Sequence, residues 1–182
     1  MPITPLHLGP GAILKAAAGQ HMSLSVFAFS QITMDLEVLG RLLFGAPQIH
    51  GFTNTALGAT VILVPSVLLG RPVCQAFLRW WNSQLNLVQA RWLSVDPVIT
   101  RKAAWIGGVL GIYSHVVLDA LMHPDANPWA PFSPKNPFVG ILSIESLNAL
   151  CWWTIVIGIF VMGTAKVWTK RKATQEEIKS AK

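Results

Sequence analysis

The stretch that decides the fold is GVLGIYSHVVLDALMHPD, residues 108–125. It is apolar enough for a membrane helix, yet His115, Asp119 and His123 follow one another in it at intervals of four residues. This spacing places the three side chains on one face of a helix. Ionisable side chains in hydrocarbon are costly and mark a site or a pathway, so each needs a partner. The partners predicted here are one another or a metal ion.

The composition of the whole chain indicates an integral membrane protein. Of the 182 residues, 52% are hydrophobic and 12% are charged, whereas soluble domains carry roughly 25% charged residues. The net charge of +6 is interpreted as cytoplasmic charge and contact with anionic lipid. No nucleic-acid partner is expected, because the basic residues are spread between apolar segments. Membrane lipids are the predicted partners, and the oligomeric state is left open.

Apolar runs predict an all-α fold, a polytopic membrane helix bundle with four long transmembrane helices. Each long run approaches or exceeds the roughly 20 residues that span a bilayer core. The four runs are residues 24–44, 52–69, 103–122 and 138–165. A shorter run over 6–18 predicts a short N-terminal helix, tilted or re-entrant. Gly107, Gly108 and Gly111 are predicted to permit close helix approach.

Residues 75–93 predict an interfacial amphipathic helix with tryptophans at headgroup level. The apolar face is formed by Phe77, Trp80, Trp81, Leu85, Val88 and Trp92. We expect a single membrane-embedded helical domain over residues 1–165 and a charged cytoplasmic tail over residues 166–182. The two cysteines, Cys74 and Cys151, lie in different segments, so neither a disulfide nor a thiolate metal site is expected.

Positive charge predicts the orientation of the chain. Placing the 71–102 loop and the C-terminal tail in the cytoplasm leaves 12 lysines and arginines inside and only Arg41 and Lys135 outside. This bias is strong for the positive-inside rule. A multi-pass protein with a cytoplasmic C-terminus is expected. The reversed topology stays open because the short first segment need not cross the membrane.

The predicted topology places polar residues from several segments at one depth. Asp35 and His115 each lie about 18 Å along their helices from the inner ends, at about 1.5 Å per residue. The residues expected in the outer half of the bundle are His7, Asp35, Glu37, His50, Asn54, His115, Asp119, His123 and Glu145. Imidazole and carboxylate groups together suit first-row divalent ions. The predicted cofactor is a divalent metal ion, zinc first, with manganese or iron as alternatives.

A structural interpretation of the same residues stays open. A buried polar network that fixes helix packing can be formed by Asp35, Glu37, His115 and Asp119. For His123 we prefer the interpretation as a solvated or capping residue, and for Glu145 that of an interhelical hydrogen-bond partner. Asp125 is interpreted as a loop residue.

Four short motifs resemble those of one protein family. They are TPLHLGPG at 4–11, MDLE at 34–37, HGFTNT at 50–55 and YSHVVLDALMHPD at 113–125. The family is that of the predicted membrane-bound metal-dependent hydrolases of bacterial inner membranes, distantly similar to zinc-dependent phospholipase C. Its pattern is an early histidine, a P-D-x-D-like motif, an H-R-G-x-T-H-S/T-like motif and an S-H-x-x-x-D motif. The resemblance implies a bacterial inner (cell) membrane location and a hydrolase that acts on a lipid or lipid-linked ester or phosphoester.

The resemblance implies roles for the matching positions. The implied metal ligands are His7, Asp35, His115 and Asp119. His50 is implied to assist catalysis, and Glu37 to act as a general base or to support a ligand. Two departures from the pattern stand out. Asn54 occupies the position of the family's second histidine, and Glu37 replaces the second aspartate, with no proline before Asp35.

The alternative hypothesis is a non-catalytic membrane protein, either a small transporter subunit or a scaffold. Intramembrane acids and histidines also build proton or cation paths. Asn54 discriminates between the two hypotheses. An enzyme that needs a histidine there should be inactive, whereas a carrier or a polar packing network tolerates an amide.

Overall fold

The computed structural model describes residues 5–180. This part of the chain contains six α-helices and no β-strand. The helices are α1 (Gly9–Ala18), α2 (Leu24–Leu43), α3 (Ala56–Gln84), α4 (Leu87–Leu93), α5 (Arg101–Met122) and α6 (Ile144–Ser180). Short 3-10 turns at Pro5–Leu8 and Gly19–His21 flank α1. The all-α prediction is confirmed. The first four residues of the predicted domain and the last two of the predicted tail lie outside the described residues.

Three of these helices are long and apolar enough to cross a membrane. They are α3, α5 and the Ile144–Thr169 part of α6. The prediction of four such helices is therefore confirmed only for three. The exception is α2, whose 20 residues carry the charged side chains of Asp35, Glu37 and Arg41. These charges lower the mean hydropathy of every stretch of α2 that is long enough to span the bilayer.

The predicted interfacial helix over residues 75–93 is divided between two elements. Its first part is the end of α3, which continues to Gln84. Its second part is α4, which begins after Asn86. The Asn86 side chain accepts from the backbone N–H of Gln89, and the Gln89 side chain accepts in return from the backbone N–H of Asn86. This capping box starts a new helix at the place where a single helix was predicted.

Two other helix ends differ from the predicted runs. The N-terminus of α3 is set by Thr55, whose hydroxyl accepts from the backbone N–H of Gly58, so the helix begins at Ala56 rather than at residue 52. α6 begins at Ile144 rather than at residue 138, because the hydroxyl of Ser143 accepts from the backbone N–H of Ser146 and caps the helix there. The same helix continues through the charged segment as far as Ser180, so no break in secondary structure separates the predicted domain from the tail.

α5 is the central helix of the bundle. It packs against α2 and α3, and 50% of its apolar span is buried, compared with 22% for α3 and 17% for α6. Glycines permit the close approach of α2, as predicted. A β-carbon on Gly111 would lie only 2.8 Å from the carbonyl oxygen of Phe27, and one on Gly107 would overlap the carbonyl oxygen of Ser23.

α1 and α6 form a second closely packed pair. Small residues again allow the contact, with Gly9 against Cys151 and Gly158 against Ala12. The pair joins the end of α5 through a buried apolar cluster. The cluster contains Leu118, Leu147 and Cys151, with Leu6, Leu121 and Met122 packed on it. Because Leu6 is anchored in this cluster, the neighbouring His7 is held beside the end of α5.

The outer surfaces of α3 and α6 are apolar and exposed. Leu68 and Leu69 on α3, and Trp152, Trp153 and Phe160 on α6, each leave more than half of their surface uncovered. Contiguous exposed apolar surface of this kind is rare on soluble monomers and marks contact with a membrane or a partner. Together with the three long apolar helices, it indicates a membrane protein.

Candidate metal centre

Histidines and carboxylates from four segments meet at one end of the bundle. The members of this cluster are His7 from the first turn, Asp35 from α2, His50 and Asn54 from the α2–α3 loop, and His115 and Asp119 from α5. All except Asp35 are at most 5% exposed. The structure therefore brings together six of the nine residues that were predicted to share one depth.

Asp119 lies at the centre of this cluster. Its Oδ1 atom is 3.7 Å from Nε2 of His7, and its Oδ2 atom is 3.1 Å from Nε2 of His115 and 3.8 Å from Nε2 of His50. The two longer distances exceed those of a hydrogen bond. Ligand atoms around one tetrahedral zinc ion stand about 3.3 Å apart, because the bonds to the ion are about 2.0–2.2 Å long. The spacing around Asp119 thus suits atoms that share an ion.

Three imidazole nitrogens in the cluster lack hydrogen-bond partners. They are both nitrogens of His7 and Nε2 of His115. Nε2 of His115 lies close to Asp119 and 3.5 Å from Oδ1 of Asp35, yet it makes no hydrogen bond to either. Buried polar atoms of proteins are nearly always paired, and an unpaired one costs about 1–3 kcal/mol. A cation bound by these nitrogens would remove that cost.

The protonation state of His7 also suits a metal ligand. Burial lowers the pKa of its imidazole to about 4, although the carboxylate of Asp119 opposes the shift. The ring is therefore neutral at pH 7 and offers a lone pair, which is the form that binds metal. His7, His115 and Asp119 can place one ligand atom each within 4.8 Å of one another. The residues present thus fit a divalent ion.

Asp125 orients His50 within the α2–α3 loop. Its Oδ1 atom accepts from Nδ1–H of His50 at 2.9 Å, and its Oδ2 atom accepts from the backbone N–H groups of Ile49 and His50, each at 3.2 Å. Burial opposes ionisation of Asp125, but the hydrogen bonds from His50 and Ile49 outweigh it and lower the pKa of the carboxyl group. In the neutral form of His50 that carries its proton on Nδ1, the lone pair lies on Nε2, which is the nitrogen that faces Asp119.

A second group of possible ligands lies beside the first. It consists of His50, His123 and Asp125. The rings of His50 and His123 are stacked, with centroids 4.3 Å apart and an interplanar angle of 28°. Asp125 already accepts three hydrogen bonds from the 49–50 segment. We therefore interpret this group as support for His50. Asp125 lies in a loop as predicted, but its part in orienting His50 was missed.

Glu37 anchors the loop that carries His50. Its Oε1 atom accepts from Nε of Arg41 at 2.8 Å and from the backbone N–H of Phe52 at 3.1 Å. Its Oε2 atom accepts from the backbone N–H of Thr53 at 2.6 Å. Both oxygens are thus engaged away from Asp119. Of the two predicted roles for Glu37, this arrangement favours support of a ligand over action as a general base.

Asn54 lies within the cluster, whereas Glu145 lies outside it. The side-chain N–H of Asn54 donates to Oδ2 of Asp119, so the amide contacts the carboxylate at the centre of the cluster. Glu145 lies on the first turn of α6 and its side chain is exposed. The prediction that Glu145 joins the cluster is wrong, because Glu145 lies on the exposed side of the first turn of α6.

No known family profile, curated protein or solved structure matches this chain.

Sequence reasoning missed two polar residues of the site, Gln31 and Asp125. Gln31 lies four residues before Asp35 on the same face of α2 and accepts from Nδ1–H of His115. That spacing was a signal that could have identified it. Asp125 had no comparable signal, because its partner His50 is 75 residues away in the chain.

Proposed function

We propose that this chain is a multi-pass membrane protein that uses a divalent metal ion to hydrolyse a lipid or a lipid-linked ester or phosphoester. The observation that carries the proposal is the buried imidazole of His7, which has no hydrogen-bond partner and lies beside His115 and Asp119. A polar network without an ion would leave both nitrogens of His7 unsatisfied. A metal ion gives His7 and His115 a common partner.

The ligands of the proposed ion are His7, Asp35, His115 and Asp119, with zinc as the first choice for this donor set. Such an ion supplies a Lewis acid for the scissile group and an acidic bound water. The remaining roles belong to the chain itself. His50, held by Asp125, presents the Nε2 lone pair that would accept a proton. Asn54 orients Asp119, and Glu37 fixes the loop that carries His50.

The accessible side of the cluster supports a lipid substrate. Asp35 is its most exposed member, with 13% of its side chain uncovered. Ile32 and Leu36, which flank Asp35 on α2, are each 60% exposed. A substrate that reaches Asp35 therefore passes apolar side chains, which favours a molecule with acyl chains. The same exposed residues support the placement of α2 in the bilayer as a fourth membrane helix.

The distribution of basic residues supports an outward-facing site. The basic 71–102 segment follows the middle of α3 and ends at the start of α5, whereas the cluster lies at the opposite ends of both helices. The positive-inside rule then places the C-terminus in the cytoplasm and the cluster on the outer side of a bacterial inner membrane.

Hydrolysis assays on protein purified in detergent test the proposal. We expect the metal-loaded protein to cleave at least one member of a panel of lipid esters and phosphoesters. Asp35→Ala combined with His115→Ala should reduce the rate to background, because two proposed ligands are lost. His21→Ala is the matched control, since His21 is exposed and should leave the rate unchanged. A double variant as active as the wild type would refute the proposal.

The hydrogen bond between Asn54 and Asp119 favours the second candidate, a non-catalytic transporter subunit or scaffold, because it pairs an amide with a carboxylate without any ion. Asn54→His separates the two candidates. If the cluster is a metal site, the added imidazole should raise zinc affinity by about tenfold or more, the size of effect that changes around a metal site have. Isothermal titration of the variant beside Asn54→Ala measures this. Unchanged affinity relative to wild type would favour the non-catalytic candidate.

A further inference from the structure

Gln31 connects three segments of the bundle from the buried face of α2. Its side chain is almost completely buried. The amide nitrogen donates to the carbonyl oxygen of Gly111 and to the hydroxyl of Ser114, each at 3.1 Å, and lies 3.5 Å from the carbonyl oxygen of His7. The amide oxygen faces Nδ1 of His115 at 2.5 Å. Gln31 therefore contacts α5 and the turn of His7 at the same time.

These contacts fix which way round the amide of Gln31 lies. The carbonyl oxygens of Gly111 and His7 can only accept hydrogen bonds, so the NH₂ group must point to them. The amide oxygen then points to His115, and because this oxygen also can only accept, Nδ1 of His115 must carry a proton. In the neutral ring, the lone pair consequently resides on Nε2.

The lone pair on Nε2 faces negative charge. Nε2 of His115 lies 3.1 Å from Oδ2 of Asp119 and 3.5 Å from Oδ1 of Asp35. A lone pair directed at two carboxylates is unfavourable unless a proton or a metal cation lies among them, and the proposed metal ion is such a cation. Ligand histidines commonly donate their second ring N–H to an oxygen acceptor, which fixes the tautomer and the direction of the lone pair. Gln31 makes this contact for His115, as Asp125 makes it for His50.

We infer that Gln31 is a positioning residue of the metal centre, which holds His115 in its Nδ1–H tautomer and links it to the backbone of His7. This inference rests on the proposed function. It predicts that the side chain of Gln31 controls the tautomer of His115 even without an ion, and that it controls the affinity for an ion through that tautomer.

Three variants test this role. Gln31→Met keeps the length of the side chain but neither donates nor accepts a strong hydrogen bond. Gln31→Glu keeps an acceptor for Nδ1–H of His115 but loses the donor to Gly111 and Ser114, so it tests the tautomer separately from the link to the backbone. Ser30→Ala is the matched control, because Ser30 is a neighbouring buried polar residue at the contact of α2 with α5 and its hydroxyl donates within α2 to Phe27.

Two measurements apply to each variant. Nitrogen-15 NMR of histidine-labelled, metal-free protein reports the tautomer of His115 at alkaline pH, and the signal is assigned by its loss in His115→Gln. Cobalt(II) titration, followed by the visible absorption of the bound ion, reports affinity and ligand geometry. We expect Gln31→Met to lose the Nδ1–H preference and about 10- to 100-fold in cobalt affinity. Gln31→Glu should keep the tautomer, and Ser30→Ala should keep both the tautomer and the cobalt spectrum.

The outcomes distinguish this inference from the proposed function. A Gln31→Met protein that keeps the Nδ1–H tautomer, or that keeps wild-type cobalt affinity, overturns the inference while leaving the metal centre intact. A wild-type protein that takes up no cobalt overturns the proposed function. In that case the NMR measurement alone decides whether Gln31 holds the tautomer of His115.

Discussion

Replacing Asp119 with alanine should remove the metal ion from the purified protein. Asp119 is the residue that faces His7, His50 and His115 at once, at 3.1 to 3.8 Å. Without it, the ion would lose a charged ligand and three histidines would lose their common neighbour. We expect wild-type protein to retain close to one ion per chain and Asp119→Ala to retain only a background level.

Elemental mass spectrometry after dialysis, with and without added metal, measures this effect. Asp119→Asn is a second variant that keeps the shape of the side chain and removes its charge, so it should lose the ion without a large change in packing. Asp96→Ala is the matched control, because Asp96 is exposed and lies in the turn before α5. Circular dichroism confirms that each variant is folded.

Either of two results would contradict the metal centre. The first is a wild-type level of zinc, manganese or iron in Asp119→Ala. The second is the absence of metal from the wild type even after metal has been added back. The second result would favour a polar network that fixes helix packing.

A large loss of stability is expected from Gly111→Ala. A β-carbon at this position would lie 2.8 Å from the carbonyl oxygen of Phe27 and would overlap the hydroxyl of Ser30. Because Phe27 belongs to the backbone of α2, the two helices must separate. Overpacking of this kind costs about 1–3 kcal/mol of the free energy of unfolding. Separation also moves Asp35 away from His115, so metal affinity should fall in the same variant.

Gly40→Ala is the matched control on α2. A β-carbon at Gly40 meets no atom within 4 Å, so the substitution should stabilise the helix by about 0.5–1 kcal/mol. Unfolding in mixed detergent micelles, followed by circular dichroism, compares the two variants, and opposite signs are expected. Equal effects of the two substitutions would show that α2 and α5 do not depend on close approach at Gly111.

The sequence predicted much of the fold because its signals are local. The apolar runs that became α2, α3 and α5 were found from composition and length, and the glycines of α5 were identified as contact points. The helix boundaries were less accurate. The break at Asn86 depends on a reciprocal pair of side-chain hydrogen bonds, and the late start of α6 depends on the side-chain cap from Ser143. Both are details that hydropathy does not record.

The meeting of several of these polar residues in one cluster was also predictable, for a related reason. His115 and Asp119 are one turn apart on one helix, so their spacing fixes their common face. Asp35 and His7 were predicted to lie at the same depth, because distance along each helix gives depth in the predicted topology. The exposed position of Glu145 was not predicted, since depth alone does not determine which way a side chain at the start of a helix points.

The sequence by itself determined the helices and their apolar surfaces. It also identified the polar residues that need a partner in apolar surroundings. Both follow because periodicity and the cost of burying charge act over a few residues. Only the tertiary structure decided which partner each polar atom has. Gln31 and His115 are 84 residues apart, and His50 and Asp125 are 75 residues apart. These contacts exist because glycines let α2 approach α5 and because Glu37 holds the loop of His50. They fix the protons on Nδ1 and direct the free nitrogens of both histidines toward the carboxylate of Asp119.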